Sequence, residues 1–166
     1  YDSQHCTPTI YNVAVTKTLI DGGASLNLLS VEAFNLLHVL LERLSLSKPF
    51  SGVGGGTAHS LGQIRLPVTF GTRDYRTELV YFDIARIGLL YNAILGYPAL
   101  AQFMAATHPA YNLMKLSGSE GVLTIKGDTK EALAVLKLTL KAAAAARPTD
   151  ADTSKAKEAV PTKKKQ

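Results

Sequence analysis

The sequence predicts a mainly β domain, small and folded over on itself, with one or two helices and a separate basic tail. Two observations carry this. Most of the chain up to about residue 127 divides into short segments rich in β-branched and aromatic residues, several alternating apolar with polar at a period of two. The connections between these segments are too short for repeated crossover helices, which argues against a wound parallel sheet. Composition agrees. A chain of 166 residues, 46% hydrophobic and 19% charged, supplies one packed core, and it excludes both wholesale disorder and two full domains.

Residues 10–20 are rich in β-branched types, and Val13 and Val15 alternate with small or polar neighbours, which predicts one strand running into Asp21-Gly22-Gly23-Ala24. Ser30 has the chemistry of a helix cap. Phe34, Leu37, Leu41 and Leu44 then recur at helical spacing, predicting a helix over residues 31–44 with one buried face. From Pro49 the signals change to hairpins. The segment Gly52-Val53-Gly54-Gly55-Gly56 leads into Ile64, Leu66, Val68 and Phe70 at a period of two, a tight turn follows with Gly71 and Asp74, and residues 75–84 alternate again. Residues 91–96 read as a short buried strand stopped by glycine, and Pro98 opens a short helix through Phe103. Residues 111–116 and 122–126 flank Gly118-Ser119-Glu120-Gly121, a four-residue hairpin loop. Asp128-Thr129-Lys130-Glu131 resembles a capping box, and the Ala/Leu/Lys run after it predicts a helix to about residue 146. The predicted organisation is therefore an N-terminal extension (1–9), a β domain (10–127), a C-terminal helix (128–146) and a disordered basic linker (147–166).

That last segment carries +3 of the net charge of +5 and ends in Lys163-Lys164-Lys165. Such a run contacts nucleic acid weakly at most, through phosphate charge alone, and reads first as a solvated linker. No apolar run approaches the roughly 20 residues that a bilayer-spanning helix requires, and Tyr1-Asp2-Ser3-Gln4-His5 lacks the features of a signal peptide. The expectation is an intracellular chain, cytoplasmic or nuclear, neither secreted nor bound to membrane. It opens with Tyr rather than Met, as a piece of a longer product would. Cys6 has only His5 beside it, and His38, His59 and His108 lie far apart, so no metal site and no cofactor are expected.

The glycine-rich stretch ends in Gly56-Thr57-Ala58, without the lysine of a phosphate-binding loop, and the third glycine of a dinucleotide fingerprint would fall on Thr57. Nor is there a Gly-x-Ser-x-Gly elbow, since Gly23-Ala24-Ser25-Leu26-Asn27 lacks the second glycine. What remains is Asp21, delivered by an apolar strand into a turn whose glycines leave its carboxylate open to a substrate. Alone, an Asp-Gly pair is a common turn dipeptide. Two further features accompany it: the glycine-rich hairpin some thirty residues on, and Ile94-Leu95-Gly96 some seventy-five residues on.

In this order and spacing, the apolar-apolar-Asp-x-Gly-Ala motif, the glycine-rich hairpin and the apolar-apolar-Gly strand end resemble the retropepsin family of aspartic proteases over about residues 10–127. The stretches at 61–71 and 91–100 are most similar to the protease region of plant Ty3/gypsy-type retrotransposon polyproteins. The resemblance implies a small closed β-barrel of the acid protease fold. It implies endopeptidase activity on a polypeptide, with Asp21 as the catalytic residue. Because the chain offers one candidate aspartate and the reaction needs two, it implies an obligate homodimer with one Asp21 from each copy. Gly23 and Ala24 would line the cleft floor, Val53, Gly54, Gly55 and Gly56 would form a flap over the substrate, and Ile94, Leu95 and Gly96 would pack beneath the catalytic loop.

Two positions depart from the family pattern. Gly22 stands where the family usually has Ser or Thr, whose hydroxyl braces the two active loops across the dimer. Tyr97 stands where viral members often carry Arg. Gly22 motivates an alternative reading as a catalytically silent retropepsin fold serving for dimerisation or peptide binding, and the basic tail a weaker one as a nucleic-acid binder.

Overall fold

The computed structural model of the chain describes residues 4–47, 50–51, 57–87 and 90–145. Its strands are β1 (Gln4–Cys6), β2 (Thr9–Ile10), β3 (Val13–Ala14), β4 (Thr18–Asp21), β5 (Leu28–Ser30), β6 (Phe50–Ser51), β7 (Thr57–Ala58), β8 (Gly62–Gly71), β9 (Tyr75–Ala85), β10 (Ala93–Gly96), β11 (Ala106–His108), β12 (Leu113–Ser117) and β13 (Val122–Lys126). The helices are α1 (Val31–Leu36), α2 (Tyr97–Phe103) and α3 (Thr129–Ala145). None of the described helices is long and apolar enough to cross a membrane.

The predicted mainly β class holds. An eight-stranded sheet in the order β1-β4-β10-β5-β9-β8-β2-β3 curls into a half-barrel, and one hydrophobic cluster gathers residues from both of its ends, from Cys6 and Ile20 to Ile10, Val68 and Phe82. β11, β12 and β13 form a second, three-stranded sheet, and β6 pairs with β7. The long hairpin of β8 and β9 is the spine of the large sheet, paired in register from Gly62↔Ile84 to Gly71↔Tyr75. Its sequence alternation reads directly as burial. Ile64, Leu66, Val68 and Phe70 all face the core. In β9 the alternation gives way to continuous burial from Phe82 to Ala85, where β5 pairs on the opposite side from β8.

The region around the candidate aspartate has an interleaved topology. β4 and β5 flank the Asp21 turn but do not pair with each other. β10, some seventy residues on, lies between them, parallel to β4 and antiparallel to β5. All four residues of β10 are buried, as expected for a strand stopped by glycine, and α2 starts immediately after it with Pro98 in its first turn.

Three local expectations change. Residues 10–20 form three short strands instead of one, because Tyr11 (φ 58°) and Lys17 (φ 51°) adopt left-handed backbone conformations that turn the chain. The helix capped by Ser30, whose Oγ accepts from the Ala33 N–H at 3.0 Å, ends at Leu36 rather than residue 44. His38 is left-handed at φ 53°, and of the expected buried face Phe34 and Leu37 are covered while Leu41 is 64% exposed. The hairpin around residues 118–121 is present, but its first strand begins at Leu113, because residues 109–111 form a 3-10 turn.

At the chain's two ends, the sheet extends toward the N terminus as far as β1, where Gln4, His5 and Cys6 are buried against β4. Asp128 caps α3 as expected, accepting from the Lys130 and Glu131 N–H groups. Glu131 does not close the box. Its carboxylate instead accepts the Lys17 N–H at 2.9 Å. Residues 147–166, expected as a disordered linker, lie outside the described residues.

Candidate active site around Asp21

β4 turns Thr18 and Ile20 into the interior and ends at Asp21, which is half-buried at the mouth of the turn. The turn closes on itself: the Gly23 N–H donates to Asp21 Oδ1 at 2.9 Å, and the Ala24 N–H donates to the Asp21 carbonyl at 3.1 Å. Among the described residues no other hydrogen bond reaches the Asp21 side chain. Gly22 and Gly23 are exposed and Ala24 is half-buried beside them. A β-carbon on Gly23 would stand 3.3 Å from Asp21 Oδ1, whereas one on Gly22 would meet only Leu100 Cδ1 at an ordinary 3.7 Å. The loop thus has room for a side chain at 22 and little at 23.

Behind the turn, β10 supplies the support. Gly96 is the register partner of Asp21, with Leu95 opposite Ile20 and Ile94 opposite Leu19. Ile94 and Leu95 are buried. A β-carbon on Gly96 would fall 2.2 Å from the Leu26 carbonyl oxygen and 2.6 Å from that of Ala24, so the backbone of the Asp21 loop occupies the space where any other residue would put its side chain. The Tyr97 N–H then donates to the Ala24 carbonyl at 2.9 Å. Of the residues singled out in the sequence, Asp21, Gly22, Gly23, Ala24, Ile94, Leu95 and Gly96 are therefore brought together. Val53, Gly54, Gly55 and Gly56 lie outside the described residues.

Two residues near this loop were not singled out as site residues. Asn27 is buried, and its side chain bonds to three residues in two distant segments, Tyr81 in β9 and Gly96 and Ala99 at the β10–α2 junction. Tyr91 stacks on the buried His5, ring centroids 5.6 Å apart. Burial first, and the Asp21 carboxylate second, raise the Tyr91 phenol above its ordinary value, so it stays a neutral hydroxyl beside the turn. No sequence signal marks Asn27, whose partners are 54, 69 and 72 residues away. The other described aspartates are engaged elsewhere. Asp83 is buried with its carboxylate on the Ser47 hydroxyl and the Gln63 amide, Asp74 accepts from Ser119 and Glu120, and Asp128 caps α3.

No protein-family model and no curated protein matches the chain. Solved structures do. The chain is similar to the retroviral protease-like domain of Ddi1 from Leishmania major, with a TM-score of 0.57 and 16% identity over 78% of this chain and 97% of that one. It is also similar to a retropepsin-like aspartic protease from Rickettsia conorii, with a TM-score of 0.49 and 18% identity over 74% of this chain and 81% of that one. At this level of identity the likeness concerns architecture: the chain has the retropepsin-like, protease-type β fold.

Proposed function

We propose that the protein is an aspartic endopeptidase acting as a two-fold homodimer, in which one Asp21 from each chain holds the hydrolytic water. The observation that carries this reading is the state of Asp21: it is the one described aspartate whose carboxylate accepts a single hydrogen bond, from Gly23 in its own turn, and it stands at the end of a strand backed by Gly96. Two such carboxylates facing each other cannot both ionise, so the pair keeps one proton. The ionised member takes a proton from the water as it attacks the peptide carbonyl, and the protonated member donates its own to the carbonyl oxygen; the first then passes the water's proton to the amine nitrogen as the C–N bond breaks, while the second recovers a proton from the gem-diol hydroxyl. Gly23 and Ala24 form the floor on which the substrate backbone lies. The likeness of residues 61–71 and 91–100 to plant Ty3/gypsy-type elements suggests the natural substrate, a retrotransposon polyprotein processed inside the cell. No cofactor enters this scheme.

Gly22 favours a second reading, a silent module that dimerises or binds peptide without cutting, since glycine cannot supply the hydroxyl that braces paired loops. One experiment separates the two. Purified chain at dimerising concentration is incubated with a polypeptide substrate from about pH 4 to 7 beside an Asp21→Asn variant. Cleavage by the parent and none by the variant supports the endopeptidase. A parent that dimerises and binds peptide but yields no fragments at any pH, or identical fragments from both proteins, removes it.

A further inference from the structure

We infer that Asn27 is a positioning residue for Asp21, an inference that rests on the endopeptidase reading and deepens it. The reasoning starts at Gly96. That position must lack a side chain because the Ala24 and Leu26 carbonyls fill the space, and it is also the N-cap of α2. Caps normally satisfy the free N–H groups of a first turn with their own side chain, and glycine has none to offer. Asn27 provides what Gly96 cannot. Its Oδ1 accepts the Gly96 N–H at 2.9 Å and the Ala99 N–H at 3.3 Å, capping α2 from a different part of the chain. Its Nδ2 donates to the Tyr81 carbonyl in β9 at 3.0 Å, and its own carbonyl accepts the Asp83 N–H at 2.9 Å.

Asn27 therefore fastens the far end of the Asp21 turn to β9 on one side and to the β10–α2 junction on the other. Because Gly96 is the register partner of Asp21, a shift of that junction moves the backbone under the carboxylate. The chemistry of the position calls for two acceptances and one donation from a single planar group, which a primary amide meets. An aspartate keeps the acceptors but turns an acceptor toward the Tyr81 carbonyl while ionised. Once protonated, it offers an O–H there. A leucine of similar volume leaves every partner unsatisfied at any pH.

The test uses the full chain and its Asn27→Asp and Asn27→Leu variants, with kcat and KM for a cleavable peptide followed across pH and normalised to folded protein by circular dichroism. A positioning role predicts that Asn27→Asp loses about tenfold or more in kcat near neutrality with KM within about twofold, and regains most of it at acid pH, whereas Asn27→Leu regains nothing. An Asn27→Asp profile parallel to that of the parent, or an unchanged kcat, overturns the inference while leaving the endopeptidase reading intact. A parent that cuts nothing sinks both. Should the variants fail to fold, hydrogen exchange on the parent decides: Gly96 and Ala99 amides exchanging as fast as exposed loop amides would refute the clamp, and strong protection at both supports it.

Discussion

Asp21 and Asp74 both stand at glycine-bearing turns next to strands, and both have a carboxylate oxygen that accepts a backbone N–H. At Asp74 the turn between β8 and β9 spends that carboxylate on a remote segment: Oδ1 takes the Ser119 hydroxyl at 3.0 Å and the Glu120 N–H at 2.9 Å, tying the long hairpin to the loop between β12 and β13. Gly118 presses so close that a β-carbon there would fall 2.3 Å from the same oxygen. At Asp21 the only donor among the described residues is Gly23, two residues away. There the remote bonds go to the backbone around the acid, through Gly96, Tyr97 and Asn27, and the carboxylate is left out of them. The two acids thus differ in what is fastened: at Asp74 the carboxylate itself, at Asp21 the main chain around it.

The contrast can be broken by exchanging the two losses. Asp21→Asn is expected to reduce peptide hydrolysis by more than about a thousandfold while the thermal midpoint stays close to that of the parent, since no distant segment among the described residues bonds to that side chain. A large fall in midpoint would place Asp21 with the structural acids. Next in size is Gly96→Ala, which sets a methyl group against two backbone carbonyls that cannot step aside. It should cost about 3 kcal/mol in urea unfolding and take activity with it, and a variant as stable as the parent would contradict the packing described for β10. Asp74→Ala should cost about 1–2 kcal/mol, the net worth of two hydrogen bonds, with kcat per folded molecule unchanged. Gly22→Thr sharpens the comparison in the other direction. The space beside Leu100 admits the side chain, so stability should move by less than about 1 kcal/mol, while dimer affinity and cleavage rise if the missing hydroxyl is what limits the site.

The smallest effect concerns Cys6, a group that the fold uses by burial alone. Desolvation first, and the charge of Glu131 second, push its thiol up to about 12 from an ordinary 9.0. Alkylating reagents should leave it unmodified in the native protein near neutral pH. The unfolded chain loses the thiol proton from about pH 9 upward while the native chain retains it, so stability should decline across that window and not below it. Rapid native alkylation would show that β1 opens.

Where sequence spoke clearly, the signal was local. The period-two run from Ile64 to Phe70 became β8, Ser30 and Asp128 became caps, and Gly118 to Gly121 became a hairpin loop, because each depends on neighbours a few residues away. The left-handed residues Tyr11, Lys17 and His38 were invisible, since none is a glycine, and Tyr11 and Lys17 are held by bonds to Pro67 and Glu131, far off in sequence. Much of the Asp21 turn was legible from Asp-Gly-Gly, but the reason for Gly96 was not: it lies in the carbonyls of Ala24 and Leu26, seventy residues back, and only a resemblance of motif order linked the two. The Gln4–Cys6 strand was missed because three residues without alternation carry no period.

The seat of α3 sets a minimum length for the molecule. Lys17 turns its N–H away from the sheet one residue before β4 begins, and the acceptor is the carboxylate of Glu131; one position from the helix start, the Asp128 N–H bonds to the His5 carbonyl at 2.7 Å. Cutting the chain after Lys126, where the sheets end, would therefore strip the lead-in to Asp21 of its fastening from behind. Shortened versions that stop there should express as loosely held barrels, and those that retain residues 128–131 should not.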